Sequence, residues 1–584
     1  RAFSTAWSSP SAKATTAWRL PSPGAAIYER EQDDDVPSAF LSLLPVDPEP
    51  AVLLSSDLGV EGRRITRRIR DLPDVALRLA LDLGASPEEP RVRFVLPDLR
   101  TVAPVTVLAT YGAMDPEGRQ HVDAILLCEP AAGAGAEAGA ASRRPTIRGT
   151  VRIDRIYDRE RGLVTSFESR IDIRVHRPAA AGSKGPPPPD GSFFLAEEWT
   201  LQEVLEPRGP AFRRRVDQAI QRSIEDLTWV LSLRGTPDSP LGRGPSGRRW
   251  QGAGRLALVL HALLAAEVDP AGEVVAGALE DLRGRDIRAT YSLACALQAI
   301  EALYAPAGER ERILRGELQQ PPTRSLSPRD RALVETWTKR LLDNCDRRVD
   351  PGYVRRWRYV ASNDYDNSNT QYALLGLRSA ALCGVRIPAG VWRAAAQHWI
   401  DEAKTDEKTS IRLELTSQIH APGKSGRPPT EGKTVARGPK VHPTGWGYRG
   451  RFAARGSMTA AGISSLAICR EALEPVRRFR RGERRAIGGL IEGGFAWFAQ
   501  YFTVWEVPGA PTRACTRYYY LYGLERACEL NRVARIQGRD WYFEGAAWLI
   551  AKQGPAGSWG TSVDSAFALL FLKKAVRPVI TPPR

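Results

Sequence analysis

The chain has 584 residues, 43% of them hydrophobic, which is enough for two or three domains with large cores. Lys and Arg number 83 against 67 Asp and Glu, giving a net charge of +16. The basic residues are nearly all arginine and are scattered among acids, so a nucleic-acid partner is not expected.

Residues 1–35 are rich in Ser, Ala and Pro, end in an acidic run, and read as a disordered lead-in. The chain opens at Arg1 with no apolar leader core, so its compartment stays open; an exported or envelope-associated setting is the expectation. From about residue 70 to 205 the hydrophobic period is two, the mark of half-buried strands. Strands are predicted over 76–83, 92–96, 104–111 and 121–127, then a hairpin of 146–158 with 163–175 joined by RERG. A Pro-rich linker follows, then one more strand over 193–205. Residues 36–205 therefore read as an antiparallel β domain, in which no residue pattern points to chemistry.

Beyond Pro207 the period becomes helical, beginning with the stripe Val216, Ile220, Ile224 and Leu227. The apolar run Leu256–Val268 is too short to span a membrane, and no transmembrane segment is expected. A helical segment then recurs with starts at Thr290, Thr370, Thr459, Arg517 and Ser565. Each copy carries a leucine seven positions on (Leu297, Leu377, Leu466, Leu524, Leu572) and small residues that permit close packing. Helical hairpins over some 380 residues would make roughly six pairs, and six pairs can close on themselves and bury the ends that an open stack must cap. The fold class expected is α+β, with an N-terminal antiparallel β domain and a C-terminal α/α toroid over 206–584.

The segment Asn363–Leu377, NDYDNSNTQYALLGL, is the main candidate for chemistry. Its bland reading is a capping box, with Ser368 and Gln371 exchanging hydrogen bonds and Asp366 adding charge at a helix N-terminus. Its functional reading places Asp366, Asn369 and Thr370 on one face of a turn, where with Asp364 and Asn367 they could bind a polar group at a cavity mouth. Trp446, Tyr448, Tyr518 and Tyr519 could line the same mouth with aromatic faces, or belong to the core. The run Arg477–Arg485 reads as a solvated surface between helices, with an anionic partner as the alternative. The seven cysteines form no CxxC pair and the six histidines are dispersed, so buried free thiols are expected and no metal or cofactor is implied.

Gln553, Gly557 and Trp559, in KQGPAGSWG, form Q-x-x-x-G-x-W, with degenerate copies at Gly445–Gly450 and Gly247–Gly254. The motif resembles the repeat of squalene-hopene cyclases and protein prenyltransferase β subunits, which are α/α toroids. The resemblance covers about residues 207–575 and implies a structural role for Gln553 and Trp559, tying one outer helix to the next repeat. It also implies where activity would sit. The prenyltransferases hold zinc with Asp, Cys and His; Asp564 stands where the histidine-bearing helix would begin, but no histidine follows His442. The cyclases use D-x-D-D, whose middle Asp protonates an alkene. Composition would make Asp366 that acid, whereas register against Leu375-Gly376-Leu377 puts Ser368 in its place. The leading expectation is therefore a toroid without either activity, binding a protein, an apolar ligand or a polysaccharide through the ring. A terpenoid cyclase using Asp366 and a toroid polysaccharide lyase or glycosidase are the alternatives; the last would need a second carboxyl.

Overall fold

In the computed structural model, residues 25–32, 51–54, 91–96, 105–128, 146–158 and 163–176 are described, as is the chain from 191 on except 237–238, 240, 242–249, 316, 319–320, 347–348, 351, 419–439, 511–516 and 577–584. Two units divide the chain, Arg1–Phe212 and Arg213–Arg584.

The first unit is an antiparallel sheet of eight strands: β1 (Ala25–Gln32), β2 (Ala51–Leu54), β3 (Arg91–Leu96), β4 (Val105–Tyr111), β5 (Arg119–Cys128), β6 (Thr146–Asp158), β7 (Leu163–His176) and β8 (Gly191–Leu205), in the order β2-β1-β8-β7-β6-β5-β4-β3. Alternation decides its faces. Val107 and Ala109, Val122, Ala124 and Leu126, Val151 and Ile153, Ile171 and Ile173 are all buried, while their sequence neighbours face out. Gly118, at φ +84°, lets β4 turn into β5; a Cβ there would lie 2.0 Å from the Tyr157 carbonyl. Within the stretch expected to be a disordered lead-in, Ala25–Gln32 forms β1 and pairs along β8; the rest of residues 1–35 lies outside the described residues. The strand expected over 76–83 lies outside the described residues.

The second unit carries the helices: α1 (Pro210–Ser232), α2 (Trp250–Ala265), α3 (Glu273–Gly284), α4 (Thr290–Leu303), α5 (Glu309–Leu314), α6 (Pro328–Asp343), α7 (Asn367–Leu382), α8 (Ala389–Asp401), α9 (Gly456–Leu473), α10 (Arg481–Tyr501), α11 (Arg517–Leu530), α12 (Trp541–Lys552) and α13 (Ser562–Leu572). Short strand pairs supplement them, among them β9 (Leu415–Ser417) with β10 (Val533–Ile536).

Six helices form the inner layer. α2 packs on α4, α4 on α7, α7 on α9, α9 on α11, α11 on α13, and α13 on α2, so the order of neighbours returns to its start. α3, α6, α8, α10 and α12 each pack on the outside of one or two of these. The recurring leucines Leu297, Leu377, Leu466, Leu524 and Leu572 are all buried in inner helices. Close approach needs glycine at the crossings: a Cβ on Gly376 of α7 would lie 2.8 Å from the Ala294 Cα of α4, and one on Gly494 of α10 2.4 Å from Ile463 of α9. On α1 the buried stripe runs Val216, Ala219, Ser223, Leu227 and Val230, with Ile220 and Ile224 at its edge.

Candidate functional site

Three tryptophans are held alike. Trp357, Trp446 and Trp559 donate their indole N–H, each at 2.8 Å, to the carbonyls of Leu341, Trp399 and Leu549 in the last turns of α6, α8 and α12. Their backbone N–H groups donate to Thr370 Oγ1, Thr459 Oγ1 and Ser565 Oγ at 3.1, 3.3 and 3.0 Å. Each of those hydroxyls sits on the fourth residue of the inner helix that follows. A single buried tryptophan thus closes the end of an outer helix with its indole and seats the start of an inner one with its backbone amide.

At the third site Gln553 Nε2 donates to the Ala219 carbonyl of α1 at 2.8 Å and to the Gly557 carbonyl at 2.9 Å. Gly557 adopts φ +89°, where a Cβ would meet the Arg222 carbonyl at 2.4 Å. Arg222 answers by donating to the carbonyls of Gly554 and Pro555. The turn therefore links α12 to α1 across more than 300 residues.

Asp366 is the N-cap of α7 and is fully buried. Its Oδ1 accepts from the Asn369 backbone at 2.7 Å and from Asn369 Nδ2 at 3.1 Å; its Oδ2 accepts from Asn369 Nδ2 at 3.0 Å and Arg358 Nη1 at 2.9 Å. Burial pushes its carboxyl above the ordinary range, and the Asn369 and Arg358 contacts pull it back. The cap expected at Ser368 is thus taken by Asp366, two residues earlier, and the reciprocal half of the box is not made, because the Asp366 amide donates to the Trp357 carbonyl at 3.0 Å. Ser368 lies inside the helix, and Gln371 turns inward to Ser464 Oγ at 3.1 Å and to the Tyr519 hydroxyl at 2.8 Å. An aspartate cap accepts as well as a serine and also meets Arg358, which explains the choice.

The other residues of the segment are spent on structure as well. The Thr370 hydroxyl donates to the Asp366 carbonyl at 2.9 Å while receiving Trp357. Asn367 Nδ2 donates to the Gly447 carbonyl at 2.9 Å, and its Oδ1 contacts His398 Nε2 at 2.7 Å. Asp366, Asn367, Asn369 and Thr370 are all buried, so the face proposed as a polar binding surface is turned into the protein. Asp364 alone stays half-exposed, 3.1 Å from Arg449 and 3.6 Å from Arg358. Tyr448 lies beside this group: its carbonyl accepts from the Asn367 amide at 3.1 Å, and the Arg455 guanidinium is 5.0 Å from its ring.

The tyrosines of α11 divide. Tyr519 and Tyr522 stack with Tyr372 of α7, both touch Phe567 of α13, and Tyr372 meets Tyr291 of α4 edge-on at 4.7 Å. The Tyr522 hydroxyl reaches Gln298 of α4 at 3.3 Å, and the Arg526 guanidinium lies 3.3 Å from the Tyr522 ring centre. α4 and α11 are not neighbours in the cyclic packing order, so the Tyr522–Gln298 contact joins two helices that do not follow one another in it. Tyr520 packs outward on Phe498, and Tyr518 on Trp548. Trp446 is core rather than mouth. Asp564 lies in the first turn of α13, capped by Thr561, and is apart from the Asp366 group.

Towards the C-terminal ends of several of these helices lie buried or half-buried ion pairs. Arg324 bridges Glu301 and Glu309, Arg378 pairs with Glu471, and Arg310 with Glu529. Glu525 accepts from Arg526 at 2.7 Å and from the Val576 backbone at 3.0 Å, and burial pushes its carboxyl up to about 7. The sequence reading named none of these. Their signal was available only as charged residues inside apolar helices, as in Glu525-Arg526 and Glu529 of α11. The sheet of the first unit buries polar groups too: Glu197 Oε2 accepts from Ser169 and Trp199, and Arg155 donates to Gln120.

Compared with known proteins, the chain matches no family model, no curated protein and no solved structure.

Proposed function

We propose that residues 213–584 form an α/α toroid of the terpenoid cyclase and prenyltransferase type that binds a partner or ligand at the ring and transforms none. The cyclic packing order of the six inner helices supports the toroid. The three tryptophan clamps and the Gln553 turn support the repeat type. The half-exposed group of Arg358, Asp364, Arg449 and Tyr448 at the start of α7 is the binding surface in this reading.

The single observation that carries the non-catalytic reading is the full commitment of Asp366. An acid that protonates an alkene must present a mobile proton to substrate in a dry pocket. Both oxygens of Asp366 already accept hydrogen bonds from a helix amide, an asparagine and an arginine. The cyclase alternative draws on the burial of Asp366, which raises its pKa, and on the nearby stack of tyrosines.

One experiment addresses both. The protein and its Asp366→Asn variant are incubated with squalene and with a polyuronate, products are read by mass spectrometry, and binding is read by tryptophan fluorescence. The expected result is no product from either form. A cyclised product made by the protein and lost in the variant overturns the proposal in favour of the cyclase, and uronate cleavage overturns it in favour of a lyase.

A further inference from the structure

The basic run Arg477–Arg485 has no part in the ring-mouth reading, yet it borders a cavity. A space of about 360 Å³ is lined by Arg386, Ile387, Pro388, Ala389, Trp392, Ala472 and Val476, at the start of α8 and the end of α9. That is the lower end of the volumes ligand sites occupy, and it suits one or two apolar side chains rather than an extended ligand. Its walls are apolar except for Arg386, and Val476 leads straight into Arg477 and Arg478.

The basic run is held beside this cavity. Arg393, one residue past Trp392, donates to the Arg478 carbonyl at 2.9 Å and lies 3.5 Å from Glu483. Phe479 is buried under the Arg484 guanidinium, and the Arg480 amide donates to Glu483 at 2.9 Å to start α10. Arg484 is paired with Glu474 at 3.2 Å. Among the described residues, Arg386, Arg477, Arg478, Arg480, Arg481 and Arg485 have exposed side chains and no ion-pair partner. Arg386 lines the slot and the other five lie on the run that leaves it at Val476, so together they form an exposed basic surface beside it. The first turn of a 21-residue helix adds positive potential at the same place.

We propose that this groove docks an acidic peptide segment of a partner protein, one or two of its apolar side chains entering against Trp392 and its carboxylates meeting the arginine rim. The concave apolar slot favours a peptide over a nucleic acid, since Phe479, the one ring in the run, is buried and cannot stack on a base. The slot also favours a peptide over a membrane, where a flat apolar face would be needed. Binding divides between the slot for affinity and the rim for encounter rate and salt dependence.

The test is fluorescence anisotropy of the full chain with a fluorescein-labelled peptide of Asp and Glu around a central Leu-Phe pair. Its controls are the same peptide with Ala-Ala at the centre, oligo-dT and phosphatidylserine vesicles. The expected result is salt-sensitive binding of the Leu-Phe peptide, weakened about tenfold or more by Arg477→Glu with Arg481→Glu, with an unchanged melting temperature. Ala472→Phe, which fills the slot, should weaken binding independently of charge. No binding of the Leu-Phe peptide, equal binding of the Ala-Ala peptide, or preference for oligo-dT or vesicles overturns the assignment. So does binding that survives both the charge reversal and the filled slot. None of these outcomes bears on Asp366, so failure here is distinguishable from failure of the toroid reading.

Discussion

His398 and Asn367 meet at 2.7 Å inside the protein, Nε2 against Oδ1, with Asn367 Nδ2 already given to the Gly447 carbonyl. With its amide nitrogen so used, Asn367 offers an oxygen, and His398 donates to it from Nε2–H. Burial, helped by the Arg356 charge, pulls the histidine from 6.5 to about 3. The unfolded chain therefore takes up the proton first as pH falls. Stability contributed by neutral His398 is complete above about 6.5 and is lost as pH falls towards 3. Urea unfolding between pH 4 and 7.5 should show this slope, about 3 kcal/mol over that window, and His398→Gln should flatten it.

Glu525 gives the opposite sign. Its folded pKa of about 7 lies above the ordinary 4.5, set by burial against the pull of Arg526. The folded state holds a proton that the unfolded chain has released, so this contribution is present below 4.5 and lost as pH rises through 7. Glu529 and Arg310 face the same group, so the step belongs to the cluster. Glu525→Gln keeps an acceptor for the Val576 amide, and thermal melts of the variant should lose the decline between pH 5 and 8.

The tryptophan clamps predict equal effects at distant positions. Trp357→Phe, Trp446→Phe and Trp559→Phe each remove an indole hydrogen bond to a helix-end carbonyl, at a cost of about 1–3 kcal/mol in equilibrium unfolding. Gln553→Ala should cost a similar amount. Additivity of Trp357→Phe with Trp559→Phe would follow if the clamps act separately.

Asp366→Ala should destabilise the protein by about 1–2 kcal/mol from the lost cap alone, and by more because Arg358 then loses its closer acid and keeps only Asp364 at 3.6 Å. Asp366→Asn retains an acceptor for the Asn369 amide and should cost less. Chemical denaturation of the pair separates the cap from the charge.

Gly376→Val should fail at the crossing of α4 and α7, where the Ala294 backbone lies within reach of any Cβ. Overpacking of this kind costs about 1–3 kcal/mol, and a loss below 0.5 kcal/mol would mean that the two helices can move apart. Gly482, which has open space around it, is the control; Gly482→Ala should be close to neutral or stabilising.

The switch from period two to helical period after Pro207, six of the eight strands, and five of the six inner helices were all legible in the sequence, because side-chain alternation and a leucine repeat are local patterns. α2 was read only as an apolar run too short for a membrane, since Trp250–Ala265 lacks the leading hydroxyl of the Thr370, Thr459 and Ser565 copies. β1 was missed because its pairing partner is β8, more than 160 residues away.

Tertiary structure alone decided what the polar residues are for. The segment Asp366–Thr370 could be read as a cap or as a catalytic cluster, and the choice rests on Arg358, Trp357, Gly447 and His398, which only folding brings to it. Likewise Trp357 and Trp446 match Trp559 through carbonyls 16 and 47 residues away, a spacing no single motif contains. A hydrophobic period is written along the chain because each residue reports its own preference for water. A hydrogen bond between buried groups needs two partners at one place, and that place exists only after the helices have packed.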